Sequence, residues 1–380
     1  MAEEKKDLSF GSLAIKLLYT TLERVNECVE IQQKIRDMGV KSKKLGEIMI
    51  DKSYLTEQQV RHIFRVQGIE GGIRELPGYQ ILNKVGQGAM GVVYKALQLS
   101  MGRTVAIKVL SPQLSDDDKF IKRFFKEARM SAWLNHPNIV QGIDVGDFQG
   151  LYYFVMEFVE GLTLEDMVKR EGALDEQRAM RIIYSIVQAL EHAHKYSLVH
   201  RDIKARNILV DIEEKAKLCD LGLAQIAISE SESSAAVKGI LAGTPAYVSP
   251  EQAQRREDLD IRSDIYSLGV TFYFCVVGDL PFRGATALEV VTKHIHENPL
   301  QPIERNANIS PSVNYIIMKM MAKNRDERYQ EPVELMQDLY AVMSGQILIK
   351  SQPARPHIRV ASRLSRATGG VRRKFRRFQR

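Results

Sequence analysis

The run His200-Arg201-Asp202-Ile203-Lys204-Ala205-Arg206-Asn207 decides how the rest of this 380-residue chain is read. Asp202 is a proton acceptor, Lys204 a cation two residues on, and Asn207 an amide able to ligate a metal. Together they make phosphoryl transfer the leading reading. Taken alone, the His-Arg-Asp triplet fits a surface turn as well. The flanking sequence separates the two.

Upstream, Val85-Gly86-Gln87-Gly88-Ala89-Met90-Gly91-Val92-Val93 lies between two strand-like runs, Tyr79-Gln80-Ile81-Leu82 and Val92-Val93-Tyr94. Glycines let a backbone approach phosphate oxygens and offer N–H donors with no Cβ in the way. A dinucleotide fold would place a helix directly after them, whereas a strand follows here. Next comes Val105-Ala106-Ile107-Lys108. A lysine at a strand end can simply snorkel, but its place after the glycine loop favours a phosphate clamp. Glu127, in the helically spaced run from Phe124 to Leu134, is its candidate partner by order along the chain. Asp220, in Lys217-Leu218-Cys219-Asp220-Leu221-Gly222, would hold magnesium together with Asn207, because that hard cation prefers oxygen ligands.

These motifs, in this order, resemble those of the protein serine/threonine kinases over residues 79 to 345, most closely the bacterial eukaryotic-like (Hanks-type) branch. His136-Pro137-Asn138, the hinge-like Val155-Met156-Glu157-Phe158-Val159-Glu160-Gly161, and Gly243-Thr244-Pro245 through Ser249-Pro250-Glu251 belong to the same pattern. So do Ser263-Asp264-Ile265-Tyr266-Ser267-Leu268-Gly269 and Arg328. Two positions depart from it: Leu221 stands where the family has phenylalanine, and Ser249 where it has alanine. Neither change removes a reacting or metal-binding group, so the resemblance implies an active kinase rather than a pseudokinase.

The resemblance implies an α+β, two-lobed protein-kinase fold with a β-rich N-lobe and a helical C-lobe. It gives Lys108 to the α- and β-phosphates of ATP with Glu127 orienting it, and Asn207 and Asp220 to magnesium, or manganese in its place. Asp202 would accept the substrate hydroxyl's proton, and Lys204 would neutralise the transferring phosphoryl group, as in serine/threonine enzymes. The ATP cleft would be formed by Val85, Gly86, Gln87, Gly88, Ala89, Met90 and Gly91, with adenine between Val93 and Ala106 above and Leu209 below. Backbone groups of Glu157 and Val159 would meet its edge, and Met156 would be the gatekeeper. Arg201 beside the base calls for an anion, so the resemblance implies a phosphorylated hydroxyl, with Ser229, Ser231, Ser233 and Ser234 the candidates and Thr244 structural.

Residues 8 to 67 carry an internal repeat at an offset of 35: Phe10-Gly11 aligns with Leu45-Gly46, Tyr19 with Tyr54, Thr21 with Thr56, Val25 with Val60. Each copy reads as a short helix, a turn, and a second helix capped by the threonine. The second copy resembles the N-terminal domain of type II secretion and pilus ATPases, some of which bind cyclic di-GMP through an arginine before Leu-Gly. Ser9 and Lys44 stand at those places here, and lysine does not replace a planar guanidinium. A regulatory or partner-binding helical module is therefore expected rather than a nucleotide site.

The expected organisation is a helical tandem-repeat domain (1–67), a linker (68–76), the kinase domain (77–345) and a basic, disordered tail (346–380). Residues 350–380 hold eleven Lys or Arg and no acid, so the net charge of +7 falls to −4 without them. Such a tail suits a polyanion: nucleic acid, anionic lipid or an acidic protein. Composition, at 44% apolar and 27% charged, is that of a soluble globular protein. Cys28, Cys219 and Cys275 show no metal-ligand spacing and read as free thiols in a reducing compartment. With no signal-like start and no transmembrane run, a cytoplasmic location is expected. Three classes thus remain: an active kinase acting on protein substrates, a catalytically weak ATP-binding scaffold, and a polyanion-binding protein regulated by its kinase part.

Overall fold

In the computed structural model the described residues are 10–37, 43–70, 76–88, 91–111, 114, 118–148, 150–220 and 245–348. A helix covering 10–16 (α1) turns into α2, Leu22–Asp37; likewise α3, Leu45–Asp51, turns into α4, Glu57–Glu70. The two halves match at the sequence offset of 35. Each turn places one non-glycine residue at positive φ, Leu18 at 59° and Ser53 at 59°. Each opening glycine faces a valine of the next helix, Gly11 against Val25 and Gly46 against Val60, where a larger residue would hold the helices apart. Thr56 accepts from the Gln59 amide at 3.2 Å while Gln59 Oε1 accepts from the Thr56 N–H, which closes a capping box at the start of α4.

The copies are also tied crosswise. The Tyr19 hydroxyl bonds to His62 Nδ1 at 2.6 Å, and the Tyr54 hydroxyl donates to Glu27 at 2.7 Å. Positions 27 and 62 are themselves equivalent, so each tyrosine reaches the same place in the other copy. Phe10, Ala14, Cys28, Leu45, Met49 and Ile63 form the apolar core between the halves. Helix α4 continues to Glu70, three residues into the expected linker, since a single glycine such as Gly68 costs a helix only about 1 kcal/mol.

The kinase-like region opens at Leu76, which is buried and bridged to Tyr79. Strands β1 (Tyr79–Gly88), β2 (Gly91–Gln98), β3 (Arg103–Leu110), β4 (Gly142–Phe148) and β5 (Leu151–Glu157) form an antiparallel sheet in the order β1-β2-β3-β5-β4, with α5 (Asp118–Trp133) following β3. Period-two alternation splits β3 cleanly. Val105, Ile107 and Val109 enter one core, whereas Ala106 and Leu110 pack with Phe120 and Phe124 of α5 in another. Lys108 shares the second side and is buried there.

The helical lobe contains α6 (Leu164–Glu171), α7 (Glu176–Lys195), α8 (Pro250–Ala253), α9 (Ile261–Val277), α10 (Ala287–His296), α11 (Pro302–Arg305), α12 (Pro311–Met320) and α13 (Pro332–Met343). A small sheet of β6 (Gly161–Thr163), β7 (Ile208–Asp211) and β8 (Ala216–Leu218) lies at its edge. Helix α9 is buried nearly all round. Its polar residues Ser263, Ser267 and Thr271 fall at i, i+4, i+8 on one stripe, and the first two donate to Glu251 and to the Tyr247 carbonyl. The stripe thus holds the segment 247–251.

Candidate active site

The glycine turn is a hairpin in which Gly88 pairs with Gly91. A Cβ at Gly86 or Gly88 would meet nothing within 4 Å, so this rim is open to an incoming group. Gly91, at φ 148°, is obligatory: a Cβ there would lie 1.9 Å from the Val109 carbonyl oxygen. Ala89 and Met90 at the tip lie outside the described residues.

Beneath it, the β2–β3 register sets Val93 opposite Lys108, and Ala106 faces Met156 across β3–β5. Val93, Ala106, Met156, Val159, Leu209 and Cys219 meet in one apolar cluster, which brings together the residues expected to enclose adenine. Glu157 donates its backbone N–H to Gln141, while its carboxylate pairs with Lys217 at 2.8 Å. The side chain is thus committed to Lys217, which leaves the backbone as the part the cleft would use.

Lys108 Nζ donates to Asp220 Oδ1 at 2.7 Å. Burial opposes ionisation of Asp220, yet the Lys108 ammonium and the bond from it prevail and hold the carboxyl below the usual aspartate range. The expected pairing of Lys108 with Glu127 lies outside the described residues at its Glu127 side chain; the backbone of Glu127 belongs to α5.

Asp202 is surrounded by donors. Lys204 Nζ reaches its two oxygens at 3.0 and 2.7 Å, and Asn207 Nδ2 donates to both the Asp202 carbonyl and its Oδ2 at 2.9 Å. With its amide nitrogen so committed, Asn207 has its oxygen left as a ligand atom. The loop is fixed from behind: Asp264, buried on α9, accepts the N–H groups of His200 and Arg201, each at 2.7 Å. Burial pushes the Asp264 carboxyl up, against the pull of those contacts. Arg201 sits at φ 67° and Asp220 at φ 60°, unusual for non-glycine residues, and this strain is held at the two ends of the site. His200 Nε2 lies 3.0 Å from the Cys219 carbonyl oxygen, which ties the loop to the residue before Asp220.

The sequence motifs include Asp264 and the Ser249–Glu251 run without showing what they hold. Ser249 and Gln252 form a capping box at α8, and Gln252 Nε2 donates to the Arg201 carbonyl at 2.8 Å. Neither Gln252 nor Cys219 carries a signal in spacing or composition. The site brings together Lys108, Asp202, Lys204, Asn207 and Asp220; Ser229, Ser231, Ser233, Ser234 and Thr244 lie outside the described residues. One carboxylate and one amide oxygen suit magnesium, which keeps waters and phosphate oxygens as its remaining ligands. Among the described residues no cluster of three or more His, Cys, Asp or Glu could hold a metal alone.

A two-lobed fold with a glycine rim, a buried lysine and an Asp-Lys-Asn loop defines a protein kinase, and the protein kinase domain family matches residues 79–341. The chain belongs to that family, in its bacterial Hanks-type serine/threonine branch. The serine/threonine-protein kinase PknB of Mycolicibacterium smegmatis is 39% identical over 272 residues, 70% of this chain and 43% of that protein. The probable serine/threonine-protein kinase CPE1738 of Clostridium perfringens is 41% identical over 261 residues, 69% of this chain and 38% of that protein. The chain thus spans less than half the length of these relatives. The crystal structure of the Mycobacterium tuberculosis PknI kinase domain shares the fold, with a TM-score of 0.54 and 25% identity over 70% of this chain and 96% of that one.

Proposed function

We propose that the chain is an active serine/threonine protein kinase that transfers the γ-phosphoryl group of ATP to hydroxyls of protein substrates, its own included. The observation that carries this reading is the gathering of Asp202, Lys204, Asn207 and Asp220 around one cleft, with Lys108 at 2.7 Å from Asp220. Asp202 accepts the proton of the attacking hydroxyl as the new O–P bond forms and the bond to the ADP oxygen breaks. Lys108 binds the non-transferring phosphates, and Lys204, now on Asp202, swings its charge onto the transferring group. Magnesium, when held by Asp220 and Asn207, supplies charge neutralisation on the phosphate oxygens. Incubation with magnesium and labelled ATP should label the wild type and leave Asp220→Ala unlabelled with its helical content intact. Equal labelling of that variant removes Asp220 from the reaction.

Activation follows from Arg201. Among the described residues its Nε is buried with no hydrogen-bond partner, which favours a phosphorylated serine among Ser229, Ser231, Ser233 and Ser234 as the anion it would meet. Alanine at all four should lower turnover.

The helical repeat, likened above to the secretion-ATPase N-terminal domain, is read as a regulatory or partner-binding module with its own core. The crosswise tyrosine contacts support this, and calorimetry with cyclic di-GMP should show little heat. The basic tail is read as a polyanion contact, tested by salt-dependent binding. A cytoplasmic site of action belongs to the same reading and rests on Cys28, Cys219 and Cys275 being free thiols. Among the described residues no helix is long and apolar enough to cross a membrane.

A further inference from the structure

We infer that Arg206 gives this kinase a preference for serines and threonines flanked by acidic residues, with Glu165 as a built-in competitor for its guanidinium. The inference rests on the kinase reading and concerns which substrates the same cleft accepts.

Arg206 occupies the middle of the short helical turn 205–207, between two residues of the catalytic loop. Ala205 and Asn207 are buried, whereas the Arg206 side chain is 65% exposed, so the turn is anchored on both sides and displays a cation. It lies four positions after Asp202, which puts their Cα atoms at most about 14 Å apart, four steps of extended peptide. A substrate with its hydroxyl at Asp202 has its neighbouring side chains within reach of this corner. Ala205 and Tyr247, the latter from the segment after residue 244, belong to the same buried core.

Among the described residues the Arg206 guanidinium makes one bond, from Nε to Glu165 Oε2 at 3.0 Å. Among those residues its two terminal nitrogens, the pair that grips a carboxylate in fork geometry, are left for a second acid. Glu165 is itself shared, since Lys169 Nζ donates to its other oxygen at 2.8 Å. Two cations against one carboxylate leave a positive balance. Arg206 is exposed and Glu165 half-buried, and a pair open to solvent on one side is worth only about 1 kcal/mol, so exchanging Glu165 for a substrate carboxylate costs little. The chain holds one stretch of this chemistry, Ser229-Glu230-Ser231-Glu232-Ser233-Ser234, in which acids alternate with serines. Its serines match the proposed preference.

The test is steady-state kinetics of the full chain on three serine peptides that differ only in carrying Glu, Gln or Lys at the flanking positions. The wild type should show kcat/KM falling in that order. In Arg206→Glu the Glu-to-Gln ratio should fall to about one or below, with Arg206→Lys retaining part of it. Glu165→Gln should raise that ratio about two- to fivefold by freeing the guanidinium. A merely structural pair would move both variants in the same direction, and that result, or an unchanged ratio in Arg206→Glu, overturns the inference. If the wild type phosphorylates no peptide and not itself, the kinase reading fails, and this inference with it.

Discussion

Two ion pairs, one in the cleft and one in the floor of the helical lobe, use the same charges for opposite ends. Arg328 and Glu251 are 0% and 4% exposed, and the guanidinium spends all five donors. It donates to both Glu251 oxygens and to the carbonyls of Ala322, Arg262 and Lys323. Ser263 gives Glu251 a further bond. Such a pair can only hold. Lys108, among the described residues, spends one donor on Asp220, and the Asp220 side chain is 28% exposed at the mouth of the cleft. That pair is open to exchange, as the proposed binding of phosphate and metal requires. Saturation, rather than charge, distinguishes scaffold from chemistry here.

Breaking each pair should therefore have different consequences. The largest effect lies in the cleft: Asp202→Asn should lower kcat by about 10²- to 10⁴-fold with an unchanged denaturation midpoint, measured on the same preparation. In the floor, Arg328→Ala should cost about 3–5 kcal/mol in denaturant unfolding, because it leaves a buried carboxylate alone. Loss of activity there should track loss of folded protein. A well-folded but inactive Arg328→Ala protein would erase the distinction.

Titration sharpens the same contrast. Lys323 lies beside Arg328, donates to the His294 carbonyl at 2.9 Å, and has the Phe282 ring 4.5 Å away. Burial first, then the Arg328 charge, brings its pKa down to about 8. The folded state thus binds fewer protons than the unfolded one between about 8 and the free-lysine value near 10.4, so stability should rise with pH across that window. Replacing Lys323 by Met should flatten the rise in the melting temperature. Asp220 has the same sign in a more acidic window: its lowered carboxyl contributes stability above the ordinary aspartate value near 3.9, lost as acid carries the pH down through the folded value.

The helical repeat offers the smallest test. A Cβ at Gly11 would come 2.6 Å from Val25 Cγ1, a stiff branched side chain, whereas at Gly46 the nearest atom is 3.1 Å away. Gly11→Ala should destabilise the helical pair by about 1–3 kcal/mol and Gly46→Ala by less, read from helix loss on heating. Kinase activity on a peptide should be indifferent to both.

The kinase fold and the candidate site were legible because each group such a site needs must be one residue type at one spacing. Asp202, Lys204, Asn207, Asp220 and Lys108 could be picked out before any contact was known. What stayed hidden acts through backbone atoms at long range: Asp264 onto two N–H groups of the loop, and Gln252 onto the Arg201 carbonyl. Any acid or amide in those places reads alike in sequence. The repeat was visible as an offset, but its crosswise tyrosines pair with His62 and Glu27, equivalent positions whose unlike residues give no match in a self-comparison.

The most direct measurement is site-resolved mass spectrometry of the full chain after incubation with magnesium and ATP, wild type beside Asp202→Asn. Phosphate is expected on serine or threonine in the wild type, concentrated in residues 229–234, and none in the variant. Equal phosphate in both, or none in either, contradicts this expectation.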